Sequence, residues 1–273
     1  MYNRAAARSP AASAGMNHKN ATRLLTTLLL VSATLWSATA QEFALPSAPD
    51  SVLDVGTSER IAKGRSIRWH FHRVDTPSQR RKALLDAGVK FYASLGNHDD
   101  PVNRQYPLWN MGGQLYYTYA TKNVRFFALD SNKVDQKELA WLENALKTSQ
   151  EEWKICYFHH PLYSDGATHG SSVDVRVVFE PLFVTYGVNV VFAGHDHIYE
   201  RITPQKGIYH FVEGASGQLR KGDARRSAMN AKAFDQDMSF MLVEIAGNQL
   251  SFQTISRTGT TVDSGTIQRQ APR

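Results

Sequence analysis

The sequence predicts an α/β layered domain with an antiparallel C-terminal part. Two observations carry that prediction. From about residue 83 onward, short β-branched and aromatic runs alternate with stretches of helical periodicity. Toward the C-terminus the runs follow one another through turn residues, with no helix between them. The 273 residues suffice for one domain with a sizeable core or a compact pair.

Taken in chain order, residues 90–95 (KFYASL) form a strand-like run that ends at Gly96. Residues 115–120 and 124–130 (VRFFALD) are β-rich, and Thr121-Lys122-Asn123 between them reads as a hairpin connection. Residues 135–148 place Leu139, Leu142, Ala145 and Leu146 at helical spacing, with charges opposite. A strand is expected over 153–158. A helix is expected over 173–186, with Pro181 kinking it or marking a restart. Gly187 stops that helix, and the apolar run 188–193 (VNVVFA) reads as a central strand. Strands follow at 208–212, 238–245 and 250–256, the last two joined by a turn at Gly247-Asn248.

The first forty residues read as a leader. Met16 opens a short basic segment ending at Arg23, and an apolar run over 24–36 follows. Small residues around Ala38 and Ala40 then precede Gln41, the pattern of a secretory signal with Met16 as the start and cleavage after Ala40. The apolar run is shorter than the roughly 20 residues a spanning helix needs. The expected localisation is secreted or periplasmic, with no membrane association after cleavage. The leader holds Arg4, Arg8, Lys19 and Arg23 and no acidic residue, which accounts for four of the six charges in the formal net +6. A mature net charge near +2 argues against a nucleic-acid partner. Cys156 is the only cysteine, which excludes an intrachain disulfide and any Cys-based zinc site.

Residues 41–82 are irregular and rich in arginine, except for a helix expected from Ser78 to Leu85. The folded domain is expected over 83–270.

Three loops carry ligand-type residues directly after strand-like runs. They are Gly96-Asn97-His98-Asp99, His159-His160-Pro161 and Gly194-His195-Asp196-His197. Carboxyl ends of strands gather sites in open α/β sheets, so loops far apart in sequence can converge there. A lone histidine at a strand end is commonly a hydrogen-bonded residue with no metal. Three such loops in this order point to a metal site, with amide and imidazole donors suited to Fe, Zn or Mn.

These motifs resemble the calcineurin-like metallophosphoesterases. The continuation His195-Asp196-His197-Ile198-Tyr199-Glu200-Arg201 and the run His159-His160-Pro161-Leu162-Tyr163-Ser164 are similar to the purple, or tartrate-resistant, acid phosphatase branch. The likeness covers roughly residues 83–256. It implies a four-layer α-β-β-α sandwich with a dinuclear metal centre at the strand ends. It further implies that Asn97, His159 and His195 ligate one metal and that His197 binds a second. His98 would sit beside the substrate phosphate, held by Asp99 or Asp100. His169, ten residues after His159, matches a further histidine of the branch, so His98 or His169 would protonate the leaving alkoxide. His160 is expected to play a structural part, packing or capping its loop.

The pattern breaks upstream of Asn97. The resembling family draws further ligands from an early Asp-x-Gly or Asp-x-His motif and from a Gly-Asp-x-x-Tyr loop whose carboxylate bridges both metals. The only Gly-Asp pair here is Gly222-Asp223, without a tyrosine three places on. Asp54, in Asp54-Val55-Gly56, is a candidate for the early motif; Asp75, or His70 and His72 as substitutes, are alternatives. The plain reading of His70 and His72 is an exposed basic segment. A βαβ unit takes about 30 residues, so the span from Asp54 to Asn97 has room for one. A deletion or frame change upstream, and hence an incomplete N-terminal part, is expected. Without the tyrosine ligand the protein is expected to be colourless.

The expected function is that of an exported metal-dependent phosphoesterase, acid-phosphatase-like, acting on small phosphate esters. The alternative is an inactive or impaired truncated member that retains at most one metal site.

Overall fold

The computed structural model describes residues 90–269, together with Gly88 and the two-residue strand β1 (Leu25–Thr26). Apart from that strand, the expectations for the leader, for 41–82 and for a helix from Ser78 lie outside the described residues. So do Asp54, His70, His72 and Asp75.

Two sheets stack face to face. The larger comprises β2 (Tyr117–Thr121), β3 (Val124–Ala128), β4 (Trp153–Tyr157), β5 (Val190–Ala193), β6 (Tyr199–Gln205), β7 (Ile208–Glu213) and β8 (Asn230–Phe234). Its order is β2-β3-β4-β5-β7-β6-β8. The central strands β3, β4, β5 and β7 are parallel, and antiparallel pairs flank them on both sides. The smaller sheet is antiparallel, in the order β1-β9-β10-β11, with β9 (Ser239–Ala246), β10 (Gln249–Ser256) and β11 (Thr261–Gln268). Leu25 pairs with Glu244. Cleavage after Ala40 would remove β1 and leave β9 as the sheet edge.

The parallel strands bury both faces, because a period of two sends alternate side chains to opposite sides. Phe126, Ile155, Tyr157, Val190 and Phe192 meet Met241, Val243, Leu250 and Phe252 of the smaller sheet. Phe127, Cys156, Phe158 and Val191 face the helices α1 (Gln136–Thr148) and α2 (Val173–Thr185). Cys156 is thus a core residue. Three layers, α-β-β, are present; among the described residues no helix covers the outer face of the smaller sheet. None of the described helices is long and apolar enough to cross a membrane.

The helices follow their local signals, with one departure. Asp135 caps α1, its carboxylate accepting from the amides of Lys137 and Glu138 at 2.9 Å. Leu142 and Leu146, one turn apart, are fully buried, each burial worth roughly 2 kcal/mol. Helix α2 runs unbroken through Pro181. The carbonyl that Pro181 leaves without a donor belongs to Val177, which is 62% exposed, so water can serve it.

Residues 90–95 depart from the strand expected there. Side chains take the carbonyls that a ladder would use. Tyr117 Oη donates to Ala93, Asn110 Nδ2 to Phe91 and Asn132 Nδ2 to Leu95, at 2.7, 2.7 and 3.1 Å. Tyr92 stacks on Tyr119 with ring centroids 3.7 Å apart. The segment is extended and tethered rather than paired.

Candidate metal centre

Register between parallel neighbours brings the histidine loops together. Tyr157, the last residue of β4, lies beside Ala128 of β3 and Phe192 of β5. The three strands therefore end at one level and present Asp130-Ser131, His159-His160 and Gly194-His195 side by side. Beyond the sheet, the amide of Phe158 donates to Phe192 and that of Gly194 to His159, at 3.2 and 3.0 Å, which continues the alignment into the loops. The loop of Asn97 arrives through Asn132, whose side chain bridges Asp130 and the Leu95 carbonyl.

Three of the predicted residues converge on one point. His159 Nε2 lies 2.9 Å from Asn97 Oδ1 and 3.0 Å from His195 Nδ1. His159 is 2% exposed, and its other ring nitrogen has no hydrogen-bond partner. Gly96 makes this closeness feasible: a Cβ there would stand 2.7 Å from the His159 ring. His195 has φ 68°, a left-handed conformation rare for a residue with a Cβ. Such strain persists where surroundings over-determine it, commonly at functional sites.

His160 joins this group. One ring nitrogen each from His159, His160 and His195 falls within 4.8 Å of the others. Ser131 Oγ accepts from the His160 amide at 2.9 Å and lies 3.0 Å from its Nδ1.

His197 stands outside that group. It is 5% exposed, and neither ring nitrogen has a hydrogen-bond partner. Buried polar atoms are nearly always satisfied, so two open imidazole nitrogens fit a missing ligand. Arg220 sits beside it, its amide donating to the His197 carbonyl at 3.0 Å. Burial holds the imidazoles neutral, as ligation requires. It pushes His195 down to about 3 and His197 down to about 4, with neighbouring positive groups adding to it, and His159 well below its usual range.

His98 and His169 are exposed at the rim. His169 lies against His195 with ring centroids 4.1 Å apart. Neither expected carboxylate holds His98. Asp99 accepts from the Gly96 amide at 2.8 Å, and Asp100 caps the following turn through the amide of Val102. Both acids serve the backbone because a tight loop leaves those amides without other acceptors. Burial raises Asp99 to about 7, against the pull of the Gly96 amide.

Asp196, between the two histidines of the last motif, is a brace that the spacing did not reveal. It is 0% exposed, and Oδ2 accepts from Ser164 Oγ and the Gly170 amide at 2.5 and 3.1 Å. Ser164 Oγ also lies 2.7 Å from Glu200 Oε2 and accepts from the Gly166 amide. One hydroxyl proton cannot serve two carboxylates, so one of the pair carries its own proton. Burial raises both, Glu200 to about 7. Gly166 and Gly214 leave the room: added Cβ atoms would stand 2.3 Å from the Asp196 carboxylate and 2.0 Å from its carbonyl oxygen. The Ser164-Asp165-Gly166 triplet and Gly214 were the signals available.

Comparison with known proteins finds relatives of this chain. The family model for calcineurin-like phosphoesterases matches residues 59–199. Human tartrate-resistant acid phosphatase type 5 is 25% identical over 67% of this chain and 68% of its own length. Other curated relatives, purple acid phosphatases among them, are matched over less than half of their length. Among solved structures, GAP50, the anchor in the inner membrane complex of Plasmodium, has a TM-score of 0.58 at 19% identity over 67% of each chain. The purple acid phosphatase PPD1 of yellow lupin has a TM-score of 0.55 at 19% identity, over 65% of this chain and 40% of that one. These two likenesses concern the fold.

Proposed function

The chain belongs to the calcineurin-like phosphoesterase family, and from that premise we infer that it is an exported, metal-dependent enzyme hydrolysing phosphate monoesters. One observation carries the reading: Asn97 Oδ1 and His195 Nδ1 both close on His159 Nε2, at 2.9 and 3.0 Å. A neutral imidazole nitrogen carries at most one proton and cannot bond well to both. A cation among the three atoms satisfies all of them. Amide oxygen and imidazole nitrogen suit Fe, Zn or Mn.

Asn97, His159 and His195 would hold that metal, and His197, with two open nitrogens, is available to a second. A metal held by these residues would supply Lewis acidity to a bound water and to the phosphoryl group. The remaining work falls to the rim. His98 and His169 are exposed, so a phosphate ester reaches them without unfolding of the loops. His98 contacts the phosphate, and His169, packed on His195, gives a proton to the leaving alkoxide. The buried strand ends exclude water from one side of the site and leave the other open. Export is supported by the basic, apolar and small-residue succession over 16–40, and the product would act outside the cytoplasm.

One feature favours a second reading, a single-metal binding protein without turnover. No Gly-Asp pair precedes Asn97 in the sequence, so the bridging carboxylate of the resembling family has no counterpart there. Two cations a few ångströms apart repel strongly where the effective dielectric is low. Metal analysis of the purified chain together with p-nitrophenyl phosphate hydrolysis separates the two. Turnover that requires metal and His195 supports the enzyme; bound metal with no turnover supports the binder.

A further inference from the structure

We propose that His160 is a metal ligand, completing with His159, His195 and Asn97 a four-donor site that holds one cation without any carboxylate. The proposal rests on the metal reading above and assigns His160 a part that its sequence position did not suggest.

The first argument is placement. The three imidazoles cluster, each offering a ring nitrogen within 4.8 Å of the others. His159 and His160 meet edge to face, centroids 4.8 Å apart and planes at 87°, and His160 lies 4.5 Å from His195. Adjacent residues on a chain rarely aim at one point. Here the chain leaves β4 at Tyr157 and bends at His159 and His160 themselves.

The second argument is the hydrogen bond behind the ring. Histidines that ligate metals almost always give their other ring N–H to an oxygen, which fixes ring orientation. His160 has that partner. Ser131 Oγ lies 3.0 Å from its Nδ1, and the same oxygen accepts the His160 amide. Nδ1 is thereby engaged, and Nε2 is left to ligate. Ser131 is 4% exposed and sits on the loop after β3, so the hydroxyl is itself held in place.

The third argument is dimension. Two nitrogens bound tetrahedrally to one zinc-sized ion stand about 3.4 Å apart. The observed group spans no more than 4.8 Å. Ring turns that close the widest gap by roughly 1.4 Å bring the set to that spacing. Three neutral imidazoles and an amide oxygen make a four-donor set for a single divalent ion, and a five- or six-coordinate metal keeps further positions for water. Such a site avoids the repulsion that a second nearby cation would bring.

Cobalt(II) is the probe, added at one equivalent to the metal-freed full chain. Each ligating imidazole then shows its remaining ring N–H as an exchangeable, hyperfine-shifted proton signal. Three such signals are expected in the wild type and two in His160→Phe. Cobalt affinity should fall more than about tenfold in His160→Phe, and about 10–100-fold in Ser131→Ala, where only the supporting oxygen is lost. His160→Gln serves as a second variant, and melting of each metal-free chain checks its fold. Two signals in the wild type, or unchanged affinity in both His160 variants while His159→Ala loses cobalt, would overturn the proposal and leave the metal reading standing. A wild-type chain that binds no cobalt would overturn both.

Discussion

His195 reaches His159 from a left-handed backbone, φ 68°, with its Nδ1 3.0 Å from the partner Nε2. A loop relaxed to ordinary φ would carry the ring elsewhere. The strain is held by the buried Asp196 next to it and by the alignment of β4 with β5. Residues kept in such regions cost of order 1–3 kcal/mol, and glycine relieves them. We predict that metal-free His195→Gly melts no lower than metal-free wild type while losing metal retention and turnover. A large drop in the melting temperature would show that His195 is needed for packing instead.

Gly214 guards the same loop from the other side. A Cβ there would stand 2.0 Å from the Asp196 carbonyl oxygen, and that contact is backbone, unable to swing away. Gly214→Ala should destabilise by about 1–3 kcal/mol and weaken metal binding by displacing the His195–His197 loop. Gly217, three residues on, has open space around its Cβ position. Gly217→Ala is the matched control and should leave both properties unchanged; equal losses in the two variants would remove the steric argument.

The proposed function makes His169, exposed at the rim, the acid that protonates the leaving group. His169→Ala should lower kcat about 10²–10⁴-fold, the range for a positioned acid, with KM and bound metal nearly unchanged. A fall in metal content alone would make His169 a supporting group for His195, against which it lies.

His210 makes stability depend on pH. It lies on β7 of the larger sheet, 2% exposed and packed edge to face against Tyr163, its Nε2 without a partner. Burial first, then Arg176, lowers it to about 3, with Glu180 opposing. The folded value lies below the unfolded one, near 6.5, so the unfolded chain takes up the proton first. Its contribution is complete above about pH 6.5 and is lost progressively down to about pH 3. His210→Phe, which cannot charge, should flatten the melting curve of stability against pH across that window. Identical acid sensitivity in the variant would assign the loss to other groups.

Much of the fold was legible because period and turn chemistry agreed. The runs at 153–158 and 188–193 appear as β4 and β5, each within two residues of its expected bounds. Helix α1 begins where Asp135 can cap it. Besides the two-residue β1, three strands were missed. Residues Tyr199–Gln205 carry Glu200 and Arg201, whose burial depends on Ser164 and Asp263, partners remote in sequence. Asn230–Phe234 is an edge strand with Ala231 and Lys232 exposed and no clear alternation. Thr261–Gln268 carries Gly265, which normally weakens a strand, but here its missing Cβ, which would stand 3.0 Å from the Phe252 ring, leaves that ring room. Conversely, residues 90–95 had strand composition without a strand, since a period of two cannot show that Tyr117, Asn110 and Asn132 will occupy the carbonyls.

The site was legible as donors and illegible as supports. Motif spacing singled out Asn97, His159, His195 and His197, and the structure brings the first three together. It could not show Asp196 as a buried brace, nor Ser131 behind His160, because both depend on contacts between separate loops. The pairing of Asp99 and Asp100 with nearby amides was visible in principle: acids after a Gly-Asn-His turn are natural acceptors for its open N–H groups.

The most direct test is a metal titration of catalysis. The chain is freed of metal with a chelator, and the rate of p-nitrophenyl phosphate hydrolysis is followed as Zn, Mn or Fe is returned. A rate that is absent at the start, rises with bound metal and saturates at a fixed stoichiometry is the expected result. Metal bound at Asn97, His159 and His195 with no hydrolysis at any loading, or hydrolysis that persists without metal, would contradict it.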